Sequence, residues 1–316
     1  MTSSARIREH YIASQPQDTS TVLVIGPGWL GSAIVAASSR SGAGAWSIAR
    51  GGSAGVDGGL GSGTSAHHAL QGDITRAETD AGLDTLLAAL PRRVDHVVLC
   101  VAPSRSRGDN HASLYPAAAR GAVRLASALH ARTLLYTSST GVYGASDGAV
   151  VREDAPVAGG DERQRALLEA EDEILSGGRE RAVRRIVLRV AGLYGPDRDP
   201  APRFRMIAAD GSDARWCNFA WRDDVVSAVQ HLQSHAELMD QNRLFNCGDG
   251  HPVRARDVTR ALLVTEAVPS PESAPASRPR SNQRVAVDRL MATGWSPRVP
   301  TVFAGLRLLG HSVDAA

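Results

Sequence analysis

The sequence predicts an α/β protein, a doubly wound parallel sheet covered by helices on both faces and followed by a smaller C-terminal lobe. Three observations carry this prediction. Apolar runs of strand length alternate with helical segments from residue 21 to about residue 190. A glycine-rich turn, "GPGWLG" at 26–31, joins the first strand to the first helix. The run "HVVLCVA" from His96 is apolar almost throughout, as a strand covered on both faces must be.

Thr21 to Ile25 is the first strand, and Trp29 to Arg40 the first helix, with Gly42 as its stop. A second strand covers Trp46 to Ala49 and ends at Arg50. Residues 51–65 are rich in Gly and Ser and are expected to form a mobile loop. The double histidine His67 and His68 is assigned to that loop, without a third ligand for a metal site. Leu83, Leu86, Leu87 and Leu90 fall at i, i+3, i+4 and i+7, one helical stripe that Pro91 ends. After the strand at His96 come a helix across Leu114 to His130, a strand at Thr133 to Tyr136, a helix near Arg165 to Leu175 and a strand at Ile186 to Val190. Such alternation implies right-handed crossovers and a parallel sheet. Beyond it, "RDPAPRF" at 198–204 and a Pro/Ser/Ala-rich stretch at 268–281 suit loops or lids. "RGD" at 107–109 is read as accidental, and no internal repeat is visible.

A chain of 316 residues, 43% of them hydrophobic, can bury a sizeable core. Its formal charge is +2 and its basic residues are scattered, so no basic stripe argues for nucleic acid or an anionic membrane as partner. The three cysteines, Cys100, Cys217 and Cys247, show neither metal spacing nor a disulfide framework, which fits a reducing compartment. The first twenty residues are polar, without a signal-like or membrane-spanning run, and are expected to be a flexible tail on a cytoplasmic protein. All 35 basic residues are arginine. A phosphate-loop lysine, a Schiff base and a lysine general base are thereby excluded.

"GPGWLG" fits G-x-G-x-x-G between a strand and a helix, the setting in which that pattern binds a dinucleotide. Gly26 permits the tight turn, Gly28 lets backbone approach a pyrophosphate, and Gly31 allows helix to pack on strand. Trp29 and Leu30 open the helix, whose free N–H groups would face the phosphates. About twenty residues further on, where an acidic residue would hold the ribose hydroxyls of NAD, stands Arg50, followed by Gly51. The planar fork of an arginine suits the 2′-phosphate of NADP, so NADP(H) is the expected cofactor.

With "GDIT" at 72–75, "YTSSTGVYG" at 136–144, "LRVAGLYGP" at 188–196, "NFAWRDDVVSAV" at 218–229 and "FNCGDGHPV" at 245–253, the chain resembles the extended short-chain dehydrogenase/reductases, a Rossmann family that includes nucleotide-sugar epimerases, and within it the atypical branch with G-x-G-x-x-G. The resemblance implies that Asp73 and Ile74 hold the adenine, and that Val101, Ala102 and Val190 complete the cofactor wall. It divides the chain into a tail over 1–20, a dinucleotide-binding core over 21–195 to which 218–248 return, and a substrate lobe of 196–217 and 249–316. It also implies a homodimer through the helices at Leu114 to His130 and Arg165 to Leu175.

Ser139 matches the family's catalytic serine, with Thr140 beside it. The family's Y-x-x-x-K belongs on the next helix, where this chain has "DERQRALLEAE" at 161–171. The tyrosine position falls on Arg163 or Asp161 and the lysine position on Leu167 or Arg165; the helper asparagine is replaced near Ala118. Of five tyrosines, Tyr11 is in the tail and Tyr136 in a strand. Tyr115, Tyr143 and Tyr194 remain as acids, with Tyr115 and Tyr143 the candidates carried forward. Tyr194 and Arg198 form Y-x-x-x-R in a loop, which is treated as coincidence. Loss of the pair restricts the substrate to one that needs chiefly orientation and electrostatic support. The expected activity is an NADP(H)-dependent reductase or dehydrogenase of a small activated acceptor, an imine, enone or keto group, with Arg163, Arg198 and Arg203 favouring an anionic substrate. The alternatives are a non-catalytic NADP-binding sensor or assembly subunit and a nucleotide-sugar epimerase or dehydratase.

Overall fold

The computed structural model describes residues 20–51, 67–157, 159–177, 183–204, 214–236, 243–263 and 282–313. The tail at 1–19, the Gly/Ser-rich stretch from 52 and the segment 268–281 lie outside them. Seven strands, β1 Thr21–Ile25, β2 Gly44–Ala49, β3 His67–Gln71, β4 His96–Leu99, β5 Thr133–Ser139, β6 Arg184–Val190 and β7 Leu244–Cys247, form one sheet in the order β7-β6-β5-β4-β1-β2-β3. Every pairing in it is parallel. The order reverses between β1 and β4, and ligands of open α/β sheets bind at such a switch point beyond the carboxyl ends of the strands.

Strand residues alternate between two cores, as a period of two requires. Leu23, Ile25, Val97, Leu99 and Leu134 join helices α2 (Asp80–Leu87), α3 (His111–Ala128) and α4 (Glu162–Ser176) on one face. Val22, Val24, Val98 and Leu135 join α1 (Trp29–Ser41) and α5 (Arg222–Ser234) on the other. Each fully buried aliphatic side chain there, Ile34 or Leu99 for example, stabilises the fold by roughly 1.5–3 kcal/mol. Gly42 ends α1 with φ 96°, a left-handed conformation that favours glycine. A third core gathers Tyr194, Phe204, Phe219 and Trp221 with α6 (Ala255–Leu263) and α8 (Val302–Leu308). Between them, α7 (Asp288–Met291) and Trp295 return to the sheet, where Leu290 and Trp295 are buried in the second core. No described helix is long and apolar enough to cross a membrane.

Three local expectations are corrected. His67 and His68 are not in a loop but open β3, the edge strand; His67 Nε2 meets Ser47 Oγ at 3.0 Å and the His68 ring stacks on Trp46. Ladder bonds to β2 and these side-chain contacts hold a segment whose composition does not read as a strand. Helix α3 begins at His111, one turn before Leu114, because Asn110 Oδ1 accepts from the Ser113 amide at 2.7 Å and caps it. Helix α2 stops at Leu87, although Leu90 is buried on the same core.

Candidate functional site

A cleft of about 1580 Å³ runs from the glycine turn across the ends of β1, β4 and β5 to the segment Arg215–Phe219. The three glycines of the turn are held by different constraints. Gly26 has φ 88°, and a Cβ there would lie 2.6 Å from the carbonyl oxygen of Cys100. A Cβ on Gly31 would lie 2.3 Å from the carbonyl oxygen of Gly26, so helix and turn touch backbone to backbone. A Cβ on Gly28 would meet nothing within 4 Å beyond its chain neighbours and its own helix. Internal packing gives no reason for glycine at this position, whereas close approach of a ligand to the backbone does. Helix α1 starts here with no side-chain cap and no acidic residue in its first turn, which leaves its N-terminal amides for an anion. These features fit the pyrophosphate of a dinucleotide.

Arg50, Gly51, Asp73, Ile74, Val101 and Ala102 line one half of the cleft, and Val190 lines it nearer to β6. Asp73 Oδ1 accepts from the Thr75 amide at 3.0 Å and the Thr75 hydroxyl at 2.7 Å, which fixes the carboxylate. Arg50 is gripped by Asp109, with Nη1 donating to Oδ1 at 2.7 Å and Nη2 to Oδ2. The Arg50 guanidinium holds the Asp109 carboxyl down at about 2, assisted by the Ser104 amide. Arg107 lies against Gly51 and also lines the cleft. Two residues of the "RGD" taken as accidental are therefore part of this site, and neither was a sequence candidate.

Ser139 ends β5. Its Oγ accepts from the Gly141 amide at 3.1 Å and from Arg163 Nη2 at 3.5 Å. Arg163 stands in the first turn of α4, which opens with a capping box: Asp161 Oδ1 accepts from the Gln164 amide, and Gln164 Oε1 from the Asp161 amide. The same Gln164 donates through Nε2 to the Gly141 carbonyl at 2.9 Å, fastening helix to serine loop. Of the alternative registers, Arg163, Leu167 and Asp161 line the cleft, and Arg165 does not. Asp161 is spent on the cap, and Arg165 donates to the carbonyls of Gly159 and Gly160. Tyr115 lines the cleft and stacks on His111. Burial pushes its phenol up, and the adjacent Arg163 pulls the other way.

Tyr143 is not brought to this group. Its hydroxyl donates to Asn246 Oδ1 at 2.7 Å and Arg189 covers its ring, so it is a buried structural contact. Tyr194 is likewise core, edge-on to Phe219 and Trp221, with burial raising its phenol. Below Ser139, Ser138 donates to Glu171 Oε1 at 2.5 Å, and Arg189 donates to both oxygens of the same carboxylate.

Thr140, Arg198 and Arg203 line the cleft, and Arg215 joins them. Arg198 lies 4.7 Å above the Trp29 ring, and Trp29 Nε1 donates to the Pro196 carbonyl at 3.1 Å, which ties the glycine turn to the 195–198 turn. Arg215 was not foreseen; its Nε and Nη2 are buried without a hydrogen-bond partner. Among the described residues, none of Arg163, Arg198 and Arg215 has a carboxylate partner, in contrast to Arg50, Arg120 and Arg189. No group of His, Cys, Asp or Glu able to hold a metal occurs among the described residues.

Fold and cleft together define a Rossmann protein of the extended short-chain dehydrogenase/reductase type. The family model described as NAD dependent epimerase/dehydratase family matches residues 22–248, and the chain belongs to that family. Solved structures share its architecture. One is the Bordetella bronchiseptica enzyme WbmG in complex with NAD, 19% identical, covering 94% of this chain and 96% of that one with a TM-score of 0.71. A second is the Thermus thermophilus UDP-glucose 4-epimerase complex with NAD, at 19% identity, 91% and 97% coverage and a TM-score of 0.70. A third is the Bacillus anthracis dTDP-glucose 4,6-dehydratase in complex with NAD, at 17% identity, 92% and 95% coverage and a TM-score of 0.69. No curated protein sequence matches the chain significantly. Family and turn support a nicotinamide dinucleotide as cofactor and an oxidoreductase-type enzyme.

Proposed function

We propose that the protein is an NADP(H)-dependent reductase or dehydrogenase of a small anionic metabolite whose acceptor is a keto group, an imine or an enone. The observation that carries this reading is Arg163, which stands 3.5 Å from Ser139 Oγ at one of the two positions, with Asp161, where the family's tyrosine would be expected. A guanidinium is always protonated and cannot hand over a proton at physiological pH. It can orient and stabilise negative charge. Nucleotide-sugar epimerisation and dehydration, the activities in the names of the Thermus and Bacillus proteins, are disfavoured by the missing tyrosine-lysine pair.

Gly26, Gly28 and Gly31 with the first amides of α1 would hold the pyrophosphate, Asp73 and Ile74 the adenine end, and Arg50 the 2′-phosphate. When bound, the nicotinamide supplies a hydride; with one proton added at the heteroatom, a C=O becomes CH–OH. Ser139 binds the acceptor heteroatom, Arg163 the anionic group, and Tyr115 is the proton donor that the cleft makes available. Arg198, Arg203 and Arg215 attract the anion. Of the substrate lobe expected over 196–217 and 249–316, Phe204, Trp216, Cys217 and Gln283 line this end of the cleft beside those arginines, whereas Leu290 and Trp295 pack in the second core of the sheet. Consumption of NADPH by paired acids and esters of keto, imino and enone compounds tests the reading. NADPH that binds but is never consumed by any of them would favour a nucleotide-binding sensor.

A further inference from the structure

We propose that the substrate is a 2-oxo acid, its carboxylate on the carbon next to the reacting carbonyl and bound by Arg163. This rests on the reductase reading and narrows its substrate class.

Ser139 Oγ already accepts from the Gly141 amide at 3.1 Å and from Arg163 Nη2 at 3.5 Å. A hydroxyl has two acceptor sites and one proton, so what remains is to donate. Ser139 lines the cleft, and the group it addresses there is an acceptor such as a carbonyl oxygen. The neighbouring Arg163 fork is matched to a carboxylate by geometry as well as charge. Because serine and arginine are themselves in contact, the two substrate groups they bind must also be neighbours. In a 2-oxo acid a single C–C bond separates them. A carboxylate several bonds away would instead meet Arg198 or Arg215, which stand on other elements.

The arrangement is built rather than incidental. Gln164, next to Arg163, ties the first turn of α4 to the serine loop through the Gly141 carbonyl at 2.9 Å. Arg165, two residues on, turns away and spends its Nη1 on backbone carbonyls at 3.0 and 3.2 Å. Arg163 has no acidic partner among the described residues. One turn further along the cleft-facing side, Leu167 brings no competing charge.

The test uses the full chain with NADPH bound, titrated with oxamate, a non-reducible isostere of a 2-oxo acid, and with its uncharged ethyl ester, followed by nicotinamide fluorescence. Oxamate is expected to bind about tenfold or more tightly than the ester, and Arg163→Gln to lose about tenfold or more for oxamate while NADPH affinity stays within about twofold. Arg163→Lys restores part of the loss, since it returns the charge without the fork. Equal oxamate affinity in wild type and Arg163→Gln, equal affinity for acid and ester, or a wild-type NADPH complex indifferent to oxamate would each overturn the proposal. A wild type that binds no NADPH fails before oxamate is added, and that outcome overturns the reductase reading itself.

Discussion

Arg50 and Asp109, 59 residues apart in sequence, are joined through both terminal nitrogens of the guanidinium and both carboxylate oxygens. The cation proposed for a 2′-phosphate is thus already held by an anion, and phosphate and carboxylate compete for one fork. Asp109→Asn removes the competitor and is expected to tighten NADPH by about tenfold while NADH changes within about twofold. Binding titrations of both nucleotides check this; an unchanged NADPH/NADH ratio would mean that Arg50 does not meet the phosphate. The pair also has an acid signature. Its carboxyl titrates at about 2 in the folded protein, below the unfolded value of about 4, so its contribution to stability is complete above about pH 4 and fades as pH falls toward 2. Thermal melts of Asp109→Asn should lack that part of the acid decline.

The glycine turn separates a folding requirement from a binding requirement. Gly31→Ala forces its Cβ onto the Gly26 carbonyl, 2.3 Å away, and is expected to cost roughly 1–3 kcal/mol in urea unfolding. Gly28→Ala meets no protein atom within 4 Å beyond its chain neighbours and its own helix, so stability should change by less than about 1 kcal/mol. Its nucleotide affinity should nevertheless fall about tenfold or more. Equal nucleotide binding by Gly28→Ala and wild type would show that the pyrophosphate does not approach there.

Beneath the serine loop, Glu171 and Arg189 form an ion pair with each side chain only 5% exposed. Removing one partner strands the other in a low-dielectric interior, so Glu171→Leu is expected to destabilise by about 3–5 kcal/mol. Glu171→Leu with Arg189→Met should be less destabilised than Glu171→Leu alone, and denaturant midpoints of the wild type, the two single variants and the double variant measure the coupling. An additive double variant would mean that the pair contributes no coupling.

Asp249 is buried, with Oδ2 lacking a partner, and burial raises its carboxyl to about 7. A folded value above the unfolded one means that the native state holds a proton which the unfolded chain releases. Stability is therefore full below about pH 4 and falls as pH rises toward 7, on the order of 2–4 kcal/mol in all. Asp249→Asn, which cannot ionise, should flatten the melting temperature between pH 5 and pH 8. A wild type whose melting temperature is level across that interval would contradict this account.

Much of the fold and half of the site were legible in the sequence because local rules govern them. A strand, three spaced glycines and a helix mark the turn whatever follows, and Ser139 is fixed by its position in "YTSSTGVYG". Long-range partners were not legible. Asp109 hid in a tripeptide with another reading, and only folding sets it against Arg50. Tyr143 read as a candidate acid until Asn246, 103 residues away, took its hydroxyl. Arg215 gives no local signal, since guanidinium nitrogens that are buried without a partner, here Nε and Nη2, are defined by what fails to surround them. Strand β3 was missed because its histidines are held by Ser47 and Trp46 rather than by apolar burial.

The central claim is an NADP(H) site with Arg50 as its selector, and the most direct measurement is fluorescence titration of the wild type and Arg50→Ala with NADPH and NADH. The account predicts NADPH bound about tenfold or more tightly than NADH by the wild type, with the preference gone in Arg50→Ala. Equal affinity for the two nucleotides in the wild type would contradict the NADP assignment, and no binding of either would contradict the dinucleotide site as a whole.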